Sequence, residues 1–412
     1  MNNIERFIEA HEALAVELEV ELTKRPAIAP EAGGTGELDK CEFLEGWLKA
    51  HGITRLERHD APDERAKGGV RPNLAASIPG KSDAGRLWII SHLDVVPPGE
   101  AALWGSDPWT VERRDDGPLG PRLIGRGVED NQQGLVSSVL AALALVKGNI
   151  VPPRTVNLLF AADEETGSAY GVIWLIKNRC LFRQDDMVLI PDGGDPRGET
   201  IEIAEKNLIW VRFVTRGRQA HGSRPDLGAN AHLAGADLAV RLHRRLSEKF
   251  AGRDPLFEPD YSTFQPTKKE ANVPNINTIP GEDVFCMDMR ILPQYSNTAV
   301  LAEIDRVKAE VESEYGVTIG YTLPQQAESR PTPEDAPLVR LLSQAVRETL
   351  GVETRTIGIG GGTVGAALRN MAVPAVVWSP MEDTAHQPNE CALISNILKG
   401  AKVMARLMTA ER

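Results

Sequence analysis

The chain has 412 residues, 42% apolar and 25% charged, the composition of a folded globular protein with room for two or three domains. Its 46 basic and 58 acidic residues leave a formal charge of -12, which argues against a nucleic-acid or anionic-membrane partner. No apolar run approaches the ~20 residues of a bilayer span. The opening MNNIERFIEA carries Glu5, Arg6 and Glu9 where a signal peptide has an apolar core, and Cys41, Cys180, Cys286 and Cys391 form no CxxC. A cytoplasmic protein with free thiols is expected.

Ile4, Phe7, Ile8, His11, Leu14 and Leu18 recur at helical spacing and predict an opening amphipathic helix, with a second over 43–48. Short apolar strands then alternate with helices: strand 86–91, buried helix 131–147, strand 155–161, helix 168–177, strand 187–190. That order predicts an α/β domain, its mostly parallel sheet covered by helices on both faces. The texture changes over 199–325, where strands 208–215, 284–292 and 317–323 alternate with helices 230–250 and 298–315. Such a segment predicts a small α+β domain with an antiparallel sheet. After it βα character returns, with helix 338–350, a glycine-rich loop, strand 373–378 and a last helix from Ala392. The expectation is one discontinuous domain, 1–198 and 326–412, with 199–325 inserted.

The chemistry gathers after the strands of the α/β part. "SHLDVVPPG" places His92 and Asp94 on one side of a strand end, so Asp94 is able to hold one imidazole nitrogen while the other faces a metal or a substrate proton. "FAADEETGS" brings Glu164 and Glu165, "LIPDGG" brings Asp192, and "SPMEDTAHQPNE" brings His386. "IGRGVEDNQQG" sets Asp130 just before the buried helix. Ligands of open α/β sheets collect at strand carboxyl ends. Clustered carboxylates repel unless a cation lies among them. Two histidines with three or four carboxylates suit two metals sharing a carboxylate, with Zn²⁺ favoured and Co²⁺ or Mn²⁺ compatible. Of the pair Glu164 and Glu165, one binds metal while the other serves as base for a metal-bound water, which is hydrolytic chemistry.

"SHLDVVP", "GRGVEDNQQG", "DEETGS", "PDGG" and "TAHQPNE", in this order, resemble the M20 family of metallopeptidases and deacylases. The resemblance implies His92, Asp130 and Asp192 around one metal, and His386, Asp130 and Glu165 around the other, with Asp130 bridging. It implies Glu164 as general base and Asp94 as the partner that orients His92. "RGRQAHGSRPDLGANA" resembles the family segment whose histidine, here His221, reaches a neighbouring subunit's site to steady the substrate carbonyl. "NINTIPGEDVFCMDMR" resembles the segment supplying Asn277 and a substrate-carboxylate arginine, Arg290. The implied protein is a homodimer through its inserted lid domain, and the implied reaction cleaves a peptide or N-acyl bond of a small carboxylate substrate.

"IGIGGGTVGAAL" admits a different reading. Gly360-x-Gly362-x-x-Gly365 follows a strand-like stretch and precedes a helix, as in a nicotinamide-dependent oxidoreductase. That reading leaves the carboxylate and histidine cluster unexplained. The preferred one has Gly361, Gly362 and Thr363 bring backbone against substrate, with helix N-terminal amides suiting a carboxylate. A member that binds without catalysis is disfavoured because Glu164 and every ligand position are filled. Desuccinylase and deacetylase members often carry Met-Lys-Gly-Gly after the bridging aspartate, where this chain has Asn131-Gln132-Gln133-Gly134. Their glycine loop often continues with Asp-Ala-Arg, where this chain has Val364-Gly365-Ala366. Neither of those biosynthetic steps is assigned over a dipeptidase or carboxypeptidase.

Overall fold

The computed structural model describes residues 2–411 and resolves two compact units. The first comprises residues up to 203, 332–357 and from 367 onward; the second comprises 204–331 and 358–366.

An eight-stranded sheet organises the first unit, in the order Leu56–Pro62, Val70–Ile78, Val156–Ala161, Leu87–His92, Met187–Asp195, Ala375–Pro380, Thr200–Glu205 and Arg355–Ile359. The four central strands, Val156–Ala161 through Ala375–Pro380, run parallel, and antiparallel strands flank them. Every residue of Leu87–His92, Val156–Ala161 and Ala375–Pro380 is buried. Because successive side chains of a strand point to opposite faces, both faces are covered. The α/β architecture with a mostly parallel sheet is therefore as expected. Helix Gly134–Lys147 is buried at twelve of its fourteen residues and begins against the sheet. A Cβ on Gly134 would lie 2.3 Å from Pro191 O, so only glycine lets the helix start there.

Some elements differ from the sequence reading. The opening helix is two, Asn2–Ala10 and Glu12–Thr23, parted at His11, whose Nδ1 donates to Phe7 O and whose ring stacks on Phe7. The central helix starts at Gly134 because 128–133 form a separate turn. Strands Leu56–Pro62 and Val70–Ile78 lack a legible apolar pattern, and Thr200–Glu205, with only Ile201 and Ile203 alternating, is a short one that the sequence reading did not pick out. Val70–Ile78 buries Arg71 and Asn73, which are tolerated because Arg71 pairs with Glu37 and Asp163 while Asn73 exchanges hydrogen bonds with Ala162 N and Tyr170 O.

In the second unit four antiparallel strands run in the order Thr263–Lys269, Glu282–Ile291, Asn207–Arg216, Thr318–Ala327. Alternate residues Ile209, Val211 and Phe213 meet Ala234, Leu238, Leu242 and Leu246 of helix Ala231–Lys249 and Val300, Ile304, Val307 and Val311 of helix Asn297–Tyr315 in one core. Asn230 and Ser296 cap these helices by accepting from Leu233 N and Ala299 N. No helix among the described residues is long and apolar enough to cross a membrane.

Candidate metal centre

The carboxyl ends of four parallel strands and one turn supply the site, all within the first unit. His92 closes Leu87–His92, Glu164 and Glu165 follow Val156–Ala161, Asp192 lies in Met187–Asp195, and His386 follows Ala375–Pro380. Asp130 sits in the turn Val128–Gln133.

Asp130 is the middle of the arrangement. Its Oδ1 lies 2.9 Å from His92 Nε2 and its Oδ2 3.0 Å from His386 Nε2, so one carboxylate presents a different oxygen to each histidine. Asp192 Oδ2 stands 3.6 Å from His92 Nε2, and Glu165 Oε2 stands 3.0 Å from His386 Nε2. Donor atoms of His92, Glu164 and Asp192 lie within 4.8 Å of one another, as do those of His92, Asp130 and Glu165. Glu165 Oε1 is buried without a hydrogen-bond partner, an orphan that a cation would satisfy. The donors are imidazoles and carboxylates, which suits Zn²⁺, Co²⁺ or Mn²⁺.

The electrostatics carry the same signature. Burial, then the charge of Asp192, pushes the Glu164 carboxyl well above the usual carboxylate range. Burial raises Asp192 and Glu165 too. For Asp130 burial is outweighed by hydrogen bonds from His386 and His92, which hold it well below that range. Hydrogen bonds to Asp130 and Glu165 push His386 up to about 10. For His92, burial opposes protonation, but the charge of Asp192 and the bonds to Asp130 and Asp192 override it and raise the imidazole. A divalent cation among these carboxylates would offset the mutual repulsion that raises Glu164 and Asp192.

A web of buried polar side chains holds these groups. His92 Nδ1 donates to the Asp94 backbone carbonyl at 2.9 Å and lies 3.5 Å from Asp94 Oδ1. The Asp94 carboxylate spends both oxygens on the amides that follow the neighbouring strand, accepting from Glu164 N and Glu165 N at 3.0 Å each. It therefore orients the Glu164–Glu165 pair at least as directly as the imidazole. Glu390 accepts from Gly127 N, Glu129 N and Asp130 N and pairs with Arg126. Glu129 returns the favour, accepting from Glu382 N and Thr384 N in the loop that carries His386. Asn131, Gln132 and Gln133 reach Asp192, Thr23 and Pro380 respectively. The sequence reading gave no role to Glu129 or Glu390 and took Asn131 only as a departure from a motif. Their one signal was an acid or amide beside a ligand residue, and only burial reveals its use.

The remaining predicted residues lie in the second unit. Ala220–His221 pairs with Thr278–Ile279, and Gly222 N donates to Asn277 O, so His221 and Asn277 are neighbours. His221 is exposed, and its Nδ1 accepts from Ser223 N. Arg290 donates through Nε and Nη2 to Asp288 and through Nη1 to Gly360 O. Thr363 Oγ1 donates to Glu205. The arginine thus touches Gly360, the residue that leads into 361–363. The helix after that loop, Gly365–Asn370, has only six residues, too short to lend the loop much dipole.

Known proteins resemble this chain in sequence and fold. The family model for peptidase family M20/M25/M40 matches residues 88–410. A metallohydrolase of Methanococcus maripaludis is 38% identical over 94% of this chain and 97% of its own length. The succinyl-diaminopimelate desuccinylase of Cereibacter sphaeroides is 28% identical over 93% and 94% of the two chains. The crystal structure of a tripeptidase from Staphylococcus aureus superposes with a TM-score of 0.74 at 16% identity, over 96% of this chain and 98% of that one, a likeness of fold.

Proposed function

The chain belongs to peptidase family M20/M25/M40 as a metallohydrolase acting on C–N bonds, and from that premise we propose that it is a two-cation amidohydrolase of small carboxylate-bearing peptides or N-acyl amino acids. The observation that carries the reading is Asp130, whose two oxygens face His92 and His386 separately. His92, Asp130 and Asp192 would hold one cation, and His386, Asp130 and Glu165 the other. A bound pair of divalent cations, Zn²⁺ above Co²⁺ or Mn²⁺, would lower the pKa of water and polarise the amide carbonyl.

The chain's own residues do the rest. Glu164 accepts a proton from the attacking water and delivers it to the departing nitrogen. Its raised affinity for protons, from burial and then Asp192, suits both halves of that task. Asp94 fixes the Glu164 backbone, and so the direction from which the base acts. Ser223 N–H, at 3.2 Å, and Ser223 Oγ, at 2.8 Å, both face His221 Nδ1, so a neutral ring with its proton on Nε2 would suit both contacts. That is the donor an amide oxygen gathering negative charge requires, with Asn277 beside it. Arg290 has used three of its five N–H groups, which leaves two for a substrate carboxylate beside Gly361, Gly362 and Thr363. A dinucleotide at this loop would leave the metal centre without a role.

The test is amine release from dipeptides, tripeptides, N-succinyl and N-acetyl amino acids by protein reloaded with Zn²⁺, Co²⁺ or Mn²⁺. Turnover of at least one amide, lost on chelation, is expected. A protein carrying two equivalents of metal and hydrolysing none of these amides would overturn the proposal.

A further inference from the structure

Asn131 follows Asp130 and is almost wholly buried. Its Nδ2 donates to Asp192 Oδ1 at 2.7 Å and to Pro191 O at 2.8 Å, and its Oδ1 accepts from His92 N at 3.3 Å. Both amide hydrogens and one acceptor site are therefore committed. One side chain ties the ends of Leu87–His92 and Met187–Asp195 to the turn that carries Asp130. These are the three segments that supply His92, Asp192 and Asp130.

The bond to Asp192 is selective. It occupies Oδ1, while Oδ2 is the oxygen that faces His92 Nε2 at 3.6 Å. A carboxylate oxygen that accepts from an amide at 2.7 Å is the poorer and more constrained donor, so Oδ2 is the oxygen better placed for a cation. An aliphatic residue at 131 would free Oδ1 to join Oδ2, and would leave His92 N without its acceptor.

Resting on the two-cation reading above, we propose that Asn131 is a positioning residue that restricts Asp192 to one-oxygen ligation of the cation it shares with His92. A cation held so would keep a position open for water or the substrate carbonyl. Partners of metal ligands commonly govern affinity in this way, at 10–100-fold on removal.

The experiment titrates metal-stripped protein with Co²⁺ against a competing chromophoric chelator. It compares the wild type with Asn131→Leu, which keeps the size but removes the polar atoms, and with Asn131→Ala, which admits water should the leucine variant misfold. We expect one of the two Co²⁺ equivalents to weaken by roughly 10–100-fold while the other is unchanged. The visible absorption of the weakened equivalent should also lose intensity, as a cobalt ion does when its coordination number rises. Equal weakening of both equivalents in step with a lower melting temperature of the stripped protein would reduce Asn131 to a purely structural residue. Unchanged affinity and spectrum would overturn the proposal outright. Fewer than two equivalents on the wild type would instead overturn the two-cation reading, and the proposal with it.

Discussion

Replacing Glu164 with glutamine tests the division of labour between two adjacent carboxylates. The amide has nearly the shape of the acid but accepts no proton from water. The Glu164 backbone is held by Asp94 Oδ1, a bond the substitution leaves alone, so the loop should keep its place. Glu164 also stands with His92 and Asp192, and burial, then the charge of Asp192, opposes its ionisation. Neutralising it therefore relieves repulsion and should not expel the cations. Losing a general base costs roughly 10²–10⁴ in rate, about 3–5 kcal/mol of barrier. Glu165→Gln differs, because Glu165 Oε2 sits 3.0 Å from His386 Nε2 and a charged donor is lost there. Steady-state kinetics on the best amide, with elemental analysis after gel filtration, separates the two. Glu164→Gln should retain both metals with kcat down by that factor, whereas Glu165→Gln should lose metal. Near-wild-type turnover by fully loaded Glu164→Gln would refute the assignment of the base.

Other outcomes follow from the same geometry. Metal affinity should rise with pH, because His92 and His386 must shed protons to become ligands; an affinity flat between pH 6 and 8 by chelator competition would contradict the histidine assignment. In stripped protein the His386 pKa, raised to about 10, contributes stability that is complete below its unfolded value near 6.5 and is lost as pH rises towards 10. The melting temperature of stripped protein should accordingly fall across that window more than that of loaded protein. Arg71→Met should cost about 3–5 kcal/mol, because it leaves Glu37 and Asp163 buried without the guanidinium they share; denaturant unfolding should show this, with partial recovery on adding Glu37→Gln. If His221 serves the partner subunit, mixed dimers of His221→Ala and Glu164→Ala chains should regain up to about half of wild-type activity, since one of two sites is whole. No recovery, or a monomer by light scattering, would end that idea.

Four of the candidate ligand positions were legible because they follow apolar runs, and four strand ends carrying His, Glu, Asp and His have no ordinary structural excuse; Asp130 was legible instead from its place just before the buried helix. The supporting layer was not legible, for a physical reason. Glu390 and Glu129 act on backbone amides about 260 residues away along the chain, and an amide bears no mark in a sequence. Asn131 read only as a departure in a motif, yet it bonds two ligand-bearing segments. The strand Val70–Ile78 was hidden by Arg71 and Asn73, polar residues made acceptable by partners on other elements. Asp94 was legible as a neighbour of His92, but not as the acceptor for the Glu164 and Glu165 amides.

The placing of Ala375–Pro380 between Met187–Asp195 and Thr200–Glu205 has a consequence in time. A ribosome finishes its two neighbours some 170 residues before it makes this strand. Until then Met187–Asp195 shows an unpaired edge, while His386 and the carboxylate of Glu390 do not yet exist. A nascent chain thus carries the makings of a half-built centre and an open flank prone to wrong pairing. Loading of a cation at His386 would then be a late event, completed only when Ala375–Pro380 and the loop carrying His386 are in place.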